Sequence, residues 1–476
     1  MNTKAEKEEV GSGKIATENN PIAAEGELIV TESELANAKL RTASGQTLPA
    51  HWLAVVATIW TGFALSSFAS MAASYAAVWY VTQSTASPLA LATVYVCAFL
   101  PIGLLSPIGG LVADRFSRKA IIIGCDFFMA ATALSVGIAV AIGHASLPLV
   151  LVFATACGVA QAFRTPAFNA TMPLLVPEVH LLRINTLDAV LSSASMIFAP
   201  ALGILLYTTL GLQMVLFVHA TGAVAAALTM CVAAVPRIEH VAVEQQSAWL
   251  NMREGFTALS SNKGVLVLVA GVVLGMMAYG PLDSLLPLMV SSHFGGNGYQ
   301  ASLVTAVFGI GMLLGSLALM ALGDRAHLAR IIVGAAAVVG GATLAAGLLP
   351  ESAFAAFALL MGIMAFACAG FSSPLMTILQ KSIGEDKLGR VMGLFSASLG
   401  LAVPLGTAFG GVAAEALGVP GFFATDGVVI LAMAAMLALS PSVRRLNAGF
   451  EHASCGATPE TPSVPCARVA SESHGR

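Results

Sequence analysis

The stretch "GGLVADRFSRKAIIIG", residues 109–124, sets one acid and three bases into six positions between long runs of Ala, Val, Ile, Leu, Gly and Phe. A fainter copy, "GDRAHLARIIVG", returns at residues 323–334. Around these islands the 476-residue chain is 57% hydrophobic and only 10% charged. Soluble proteins of this size carry about a quarter charged residues. No soluble core hides so much apolar surface, so lipid is the solvent for most of the chain. The net charge of −3 matters less than where the charges sit.

Working outward from the motif, twelve apolar stretches lie between residues 52 and 441. Each is long enough, at roughly 20 residues, to cross a bilayer. The first six run approximately 53–80, 89–112, 120–142, 147–169, 186–208 and 212–234. The second six run 264–290, 300–322, 330–349, 353–377, 389–415 and 421–440. Lipid offers a bare backbone amide no partner, so these spans are helices. The short alternating segments of a β-barrel are missing. The fold class is therefore an all-α membrane protein of twelve transmembrane helices in two six-helix bundles.

The opening motif lies in a loop, and loops fix orientation. The five loops after spans two, four, six, eight and ten hold twelve Lys and Arg, while the six opposite loops hold none. Lys and Arg favour cytoplasmic loops, which places both termini in the cytoplasm of a multi-pass protein of the cell membrane. The one base inside a span is Arg164.

The domain boundaries follow. Residues 1–51 form a polar, cytoplasmic segment, too poor in apolar groups to offset its ordering entropy and hence disordered. The basic, apolar, small-residue order of a signal peptide is missing there. Residues 52–234 and 264–441 are the bundles, 235–263 a cytoplasmic linker, and 442–476 a tail that reads like the first segment. The seven cysteines form no C-x-x-C or Cys/His cluster, so neither a metal site nor a disulfide framework is expected.

The motif and its copy align at an offset of 210, Asp114 with Asp324 and Arg115 with Arg325. Pro166 and Pro374 give nearly the same offset, and Pro200 and Pro404 lie 204 apart. Spans seven to twelve thus read as a diverged copy of spans one to six, the mark of transporters that rock two halves about a central site.

On these residues the chain resembles the major facilitator superfamily, whose loop signature between spans two and three is G-x-L-a-D-r-x-G-r-k. Here Gly110 to Lys119 fill it, with Val112 for Leu and Ser117 for the inner Gly. The phrases "QAFRTPAFNATMPLLVP" and "SSHFGGNGYQ…FGIGMLLGS" resemble the drug:proton antiporters that include macrolide-efflux proteins and an enterobactin exporter. The likeness covers about residues 52 to 440. It implies the major facilitator fold.

Arg115, Arg118 and Lys119 orient the loop, a role any membrane protein uses. Asp114 is not explained that way, since acids contribute little to orientation. The resemblance implies a latch: Asp114 sits beside the start of span eleven, near Leu388 to Arg390, when the cytoplasmic face is closed. A helix N-terminus stabilises a carboxylate by about 0.3–1 kcal/mol. Asp324 and Arg325 occupy the matching place in the second copy.

A charge at the centre of a lone helix costs roughly 2.5–3.5 kcal/mol on insertion scales, so each needs a partner, a cavity or the aqueous edge. Counting 1.5 Å per residue, Asp126 lies roughly 10 Å inside span three, Arg164 at a comparable depth in span four and Asp188 somewhat shallower in span five. Spans three and four form a hairpin, so two readings stand level: a functional charge cluster Asp126–Arg164–Asp188, or a static ion pair near the interface. Asp283 is the best single candidate for proton coupling. It sits in "AYGPLDSLLPLMV" between Pro281 and Pro287, where the helix is expected to break and open to a cavity, a setting that suits proton binding and release. Glu415 and Asp426, near the outer ends of their spans, read as interfacial, and His219 as a packing residue. In span five, "IFAPALGILLY" is similar to the antiporter signature G-P-x-x-G-G, with Ala199 and Ile204 at two glycine positions. Pro200 and Gly203 still favour a bend and close helix contact.

Trp60, Ser67, Tyr75, Gln161, Tyr279, Met361 and Phe366 are the candidate cavity-lining positions, mostly apolar or aromatic. They suit small amphiphilic compounds with loose specificity. No phosphate-cradling Gly-x-x-x-x-Gly-Lys loop is present, so ATP is not a direct drive. No nucleophile, triad, metal set or other cofactor site appears, and the chain does not read as an enzyme. The expected function is proton-coupled, alternating-access export of macrolide-like drugs by a monomer, with the substrate, protons and the bilayer as partners and no nucleic acid. Two alternatives stay open: a dedicated exporter of a siderophore or lipid-like metabolite, and a transport-inactive sensor or scaffold.

Overall fold

The computed structural model describes residues 52–232, 248–322 and 328–444, and among them all regular structure is helical. The first bundle holds α1 (Trp52–Thr85), α2 (Pro88–Arg115), α3 (Arg118–Ala141), α4 (Leu147–Leu175), α5 (Glu178–Leu210) and α6 (Leu212–Val232). A short α7 (Ala248–Ser260) leads to α8 (Lys263–Leu288), which a π-helical turn (Met289–His293) extends. The second bundle continues with α9 (Gly298–Leu322), α10 (Leu328–Gly347), α11 (Phe354–Ser382), α12 (Glu385–Leu417) and α13 (Val419–Leu439). All but α7 contain a segment long and apolar enough to cross a membrane, which makes twelve spans. The N-terminal segment, residues 235–247 of the linker, residues 445–476 of the tail, Asp324 and Arg325 lie outside the described residues.

Local chemistry sets the helix ends. The Ser87 side chain accepts from the Ala90 amide with Pro88 in the first turn, and Ser117 accepts from the Ala120 amide, so both first turns are capped. Asn262 accepts from the Gly264 and Val265 amides at the head of α8. Gly211 (φ 81°) and Gly418 (φ 72°) turn α5 into α6 and α12 into α13 within one residue. A side chain there would be strained. The two glycines lie 207 positions apart, so the internal repeat extends to the turns.

The end carrying Arg115, Arg118 and Lys119 is called here the basic face, and the end with no Lys or Arg in its loops the bare face. The bundles meet along α2 with α12 and α5 with α9. Between lipid-exposed helices, small residues allow the close approach on which packing depends. A Cβ on Gly103 of α2 would stand 2.7 Å from the Gly400 carbonyl carbon of α12, and one on Gly309 of α9 would stand 2.8 Å from Ile197 Cγ1 of α5. Toward the bare face, the Ser87 hydroxyl and Leu89 amide donate to Glu415 at 3.3 and 3.4 Å. The hydroxyls of Thr208 and Tyr299 lie 3.0 Å apart in the pseudo-equivalent place. These contacts between bundles fall on the bare side of the mid-membrane.

Two expectations need correction. Span seven is not broken between its prolines: α8 runs through Pro281 and Pro287, and the irregularity is the π turn that follows. Each proline removes only one backbone donor, and Gly280 lets α8 press against Val403 and Thr407 of α12, which braces the helix. The linker is also more than polar chain, because α7 docks on α12. Its Glu254 pairs with Arg390 at 2.6 Å, Gly255 sits under the Arg390 carbonyl, and Leu259 is buried.

Candidate transport site

Asp283 is half-buried where the bundles converge, toward the bare side of mid-membrane. The Tyr95 hydroxyl of α2 is within hydrogen-bonding reach of its carboxylate. Tyr75 of α1 and Tyr279 of α8 lie within electrostatic range of the same group. Tyr75 in turn meets Thr305 of α9, oxygen to oxygen at 3.2 Å. Tyr279 leans on Phe308 with ring centres 6.0 Å apart. Each tyrosine is half-buried. One carboxylate thus lies within electrostatic range of three phenols from three helices and both bundles. Phenol O–H groups steady a carboxylate, and their rings offer an amphiphile an apolar wall with a polar edge.

The second charged feature lies inside the first bundle. Arg164 Nε stands 2.7 Å from Asp126 Oδ1, and both side chains are 1% exposed. Charge and proximity hold the pair, because the N–H is not aligned on that oxygen. The guanidinium also donates from Nη1 to Ser67 at 3.3 Å and lies 4.1 Å above the Phe63 ring, which stacks on Phe168. Arg164 therefore ties α1, α3 and α4 together. Asp188 does not join them: it is half-buried on α5, and among the described residues no ion pair links it to either partner.

The remaining candidates divide. Asp114 is exposed and 3.5 Å from Arg118, while Arg118 also donates to the Ala113 and Ala170 carbonyls. Lys119 donates to the Cys231 carbonyl, and Arg115 is likewise engaged. The start of α12, where the latch is expected, is occupied by α7 through Arg390 and Glu254. Pro200 stands within an unbroken α5, and Gly203 brings that helix onto the Ala72 carbonyl of α1. Ala199 and Ile204, at the departed glycine positions, are fully buried. Trp60, half-buried, has an indole nitrogen with no partner among the described residues. Gln161 accepts from Thr165, and Phe366 is exposed. Met361 is not available to a ligand: it is 1% exposed, enclosed in the apolar core because its helix face packs inward. Asp426 is corrected too, since it is 9% exposed and not hydrated at an interface.

Tyr95, Thr305 and Phe63 were missed in the sequence. A usable signal was depth: Tyr75, Tyr95 and Tyr279 all fall within roughly three to four turns of the bare ends of their spans. Phe63 and Thr305 carried no such mark.

Comparison with known proteins agrees with this architecture. Residues 49–462 match the family described as transmembrane secretion effector. Macrolide efflux protein A of Streptococcus pyogenes is 30% identical over 398 residues, 83% of this chain and 98% of that protein. The protein of the same name from Enterococcus faecalis is 31% identical over 309 residues, 65% of this chain and 96% of its own length. Among solved structures, a variant of the nucleoside transporter NupG superposes with a TM-score of 0.64 at 15% identity, covering 82% of this chain and 99% of that one. A bacterial homologue of the lysosomal transporter Spinster gives 0.61 at 15%, covering 86% and 98%. The chain therefore belongs to the transmembrane secretion effector family, and it is a major facilitator superfamily transporter of the membrane rather than an enzyme.

Proposed function

We propose that the chain is a proton-coupled exporter of small amphiphilic compounds of the macrolide class, working by alternating access. The observation that carries this reading is Asp283 among Tyr75, Tyr95 and Tyr279, at the seam of the two bundles. A carboxylate there takes up and releases a proton where the same rings receive a substrate, so one event biases the other. The relatives named as macrolide efflux proteins support the substrate class. With the basic face in the cytoplasm, the cleft opens inward and the bare-side contacts of Glu415 and Thr208 form the closed outer gate. Closing the basic face brings Asp114 to the start of α12, where Arg390 exchanges Glu254 for a partner from the other bundle.

The test uses the purified full chain in liposomes with an imposed pH gradient, and macrolides and cationic dyes as cargo. Movement should follow the gradient and be lost in Asp283→Asn while substrate binding is retained. Movement that ignores the gradient, or that survives in Asp283→Asn, removes the assignment of Asp283.

A further inference from the structure

Away from the cleft, α8, α12 and α13 part on the flank of the second bundle and leave a groove of about 540 Å³. Its walls are apolar, with Met277, Phe409, Phe422, Met433 and Met436 prominent, and Asp426 is the one titratable group among the lining residues. That carboxylate is 9% exposed, and its Oδ2 is buried with no hydrogen-bond partner among the described residues. Buried charges of this kind are otherwise paired. Several lining side chains, Phe409, Val429 and Met436 among them, are largely exposed, so the groove opens to the lipid flank. Counting 1.5 Å per residue, Asp426 lies about 10 Å in from the bare end of α13, about a third of the way across a hydrocarbon core of about 30 Å.

We infer that this groove binds a membrane-dissolved organic amine, its ammonium head on Asp426 and its hydrocarbon body along the Met and Phe walls. Charge complementarity names the occupant. A lone carboxylate takes one cation, and the groove offers no base for the phosphate of a zwitterionic lipid. Phe409 and Phe422 add ring faces that favour a cation, and the three methionines shape themselves to varied hydrocarbon. The inference does not rest on proton coupling or export, since it requires only binding from the bilayer.

Its test is photolabelling of the full chain in phosphatidylcholine nanodiscs. A long-chain primary amine with a diazirine in its tail is compared with the alcohol of equal length, and adducts are mapped by mass spectrometry. Amine adducts should concentrate on residues 406–413 and 422–436 of the groove, while the alcohol marks it only at the level of other lipid-facing surface. Asp426→Asn should cut amine labelling about thirtyfold or more, the scale of removing one desolvated charge partner. Ala413→Trp, which fills the groove but keeps the carboxylate, should cut it as well. Equal labelling of the groove by amine and alcohol in the unaltered protein would overturn the inference, because the groove would then hold ordinary lipid. So would amine labelling unchanged in Asp426→Asn.

Discussion

Helices α6 and α13 are one design used twice, each of 21 residues and each entered through a glycine of positive φ. The residue 207 positions beyond His219 is Asp426. In the first bundle the slot is sealed: His219 is fully buried, neither ring nitrogen has a partner among the described residues, and Phe153 meets it edge-on at 5.7 Å. In the second bundle the slot faces the groove. Neighbour packing makes the difference. Gly62 and Gly222 bring α1 and α6 into contact over the middle of the interface, whereas α8 and α13 touch at Gly271 and Leu437 and separate toward the bare face.

The same contrast holds for the ion pair. At the offset of 210 Ala336 stands for Asp126, and at the offset of 208 set by Pro166 and Pro374 Ser372 stands for Arg164. One bundle is pinned by a charge pair at a place where its twin has none. The repeat keeps the backbone path and frees the interior polarity to differ. Asp283 and Asp426 of the second bundle stand in no ion pair among the described residues.

The comparison breaks most readily at Arg164. Removing one member of a buried pair strands the other, a loss of about 3–5 kcal/mol. Arg164→Ala should sharply lower the thermal midpoint of the purified protein, and Arg164→Met with Asp126→Leu should recover much of it. A single variant as stable as the parent would mean that the first bundle does not lean on this pair. Gly103→Val comes next, since its side chain meets Gly400 backbone. Overpacking of about 1–3 kcal/mol should appear as a lower midpoint and slower transport, with Gly110→Val, in open space, as the silent control.

His219→Leu tests the sealed slot itself. Removing two unpartnered ring nitrogens should leave stability unchanged or raise it by about 1 kcal/mol. A clear loss would assign the imidazole a partner and a role. The smallest effect is expected at Glu254→Gln. That pair with Arg390 is more than a third exposed on each side, and such bridges contribute under about 1 kcal/mol. Stability should barely move, whereas the rate of basic-face closure, followed by a fluorophore pair across the bundles, should rise if Arg390 must be released.

Much of the fold was legible because lipid leaves few choices. Apolar length dictates the spans, and the placement of Lys and Arg dictates two sets of loops. The Asp126–Arg164 pair was readable from depth and hairpin geometry alone. Asp188 failed the same reasoning because depth says nothing of which way a helix face turns. Met361 failed for that reason too. Asp283 was found by its isolation, but Tyr75 and Tyr95 come from helices distant in sequence, and only packing brings them near. Asp426 looked interfacial by position along its span; its burial depends on how far α8 stands from α13, which no local pattern records. The docking of α7 was hidden because a short polar helix draws its stability from the surface that receives it.

In the rocking motion proposed above, the crossing of Gly103 and Gly400 serves as the fulcrum. Along α2 it lies about 22 Å from the bare end and about 18 Å from the basic end, at 1.5 Å per residue. A bundle tilting on that fulcrum sweeps its two ends through nearly equal, opposite arcs, about 0.4 and 0.3 Å for each degree. One face therefore gains roughly the width that the other yields. Mutual exclusion of the two openings becomes a matter of where the fulcrum sits, and sliding it by one helical turn would unbalance them.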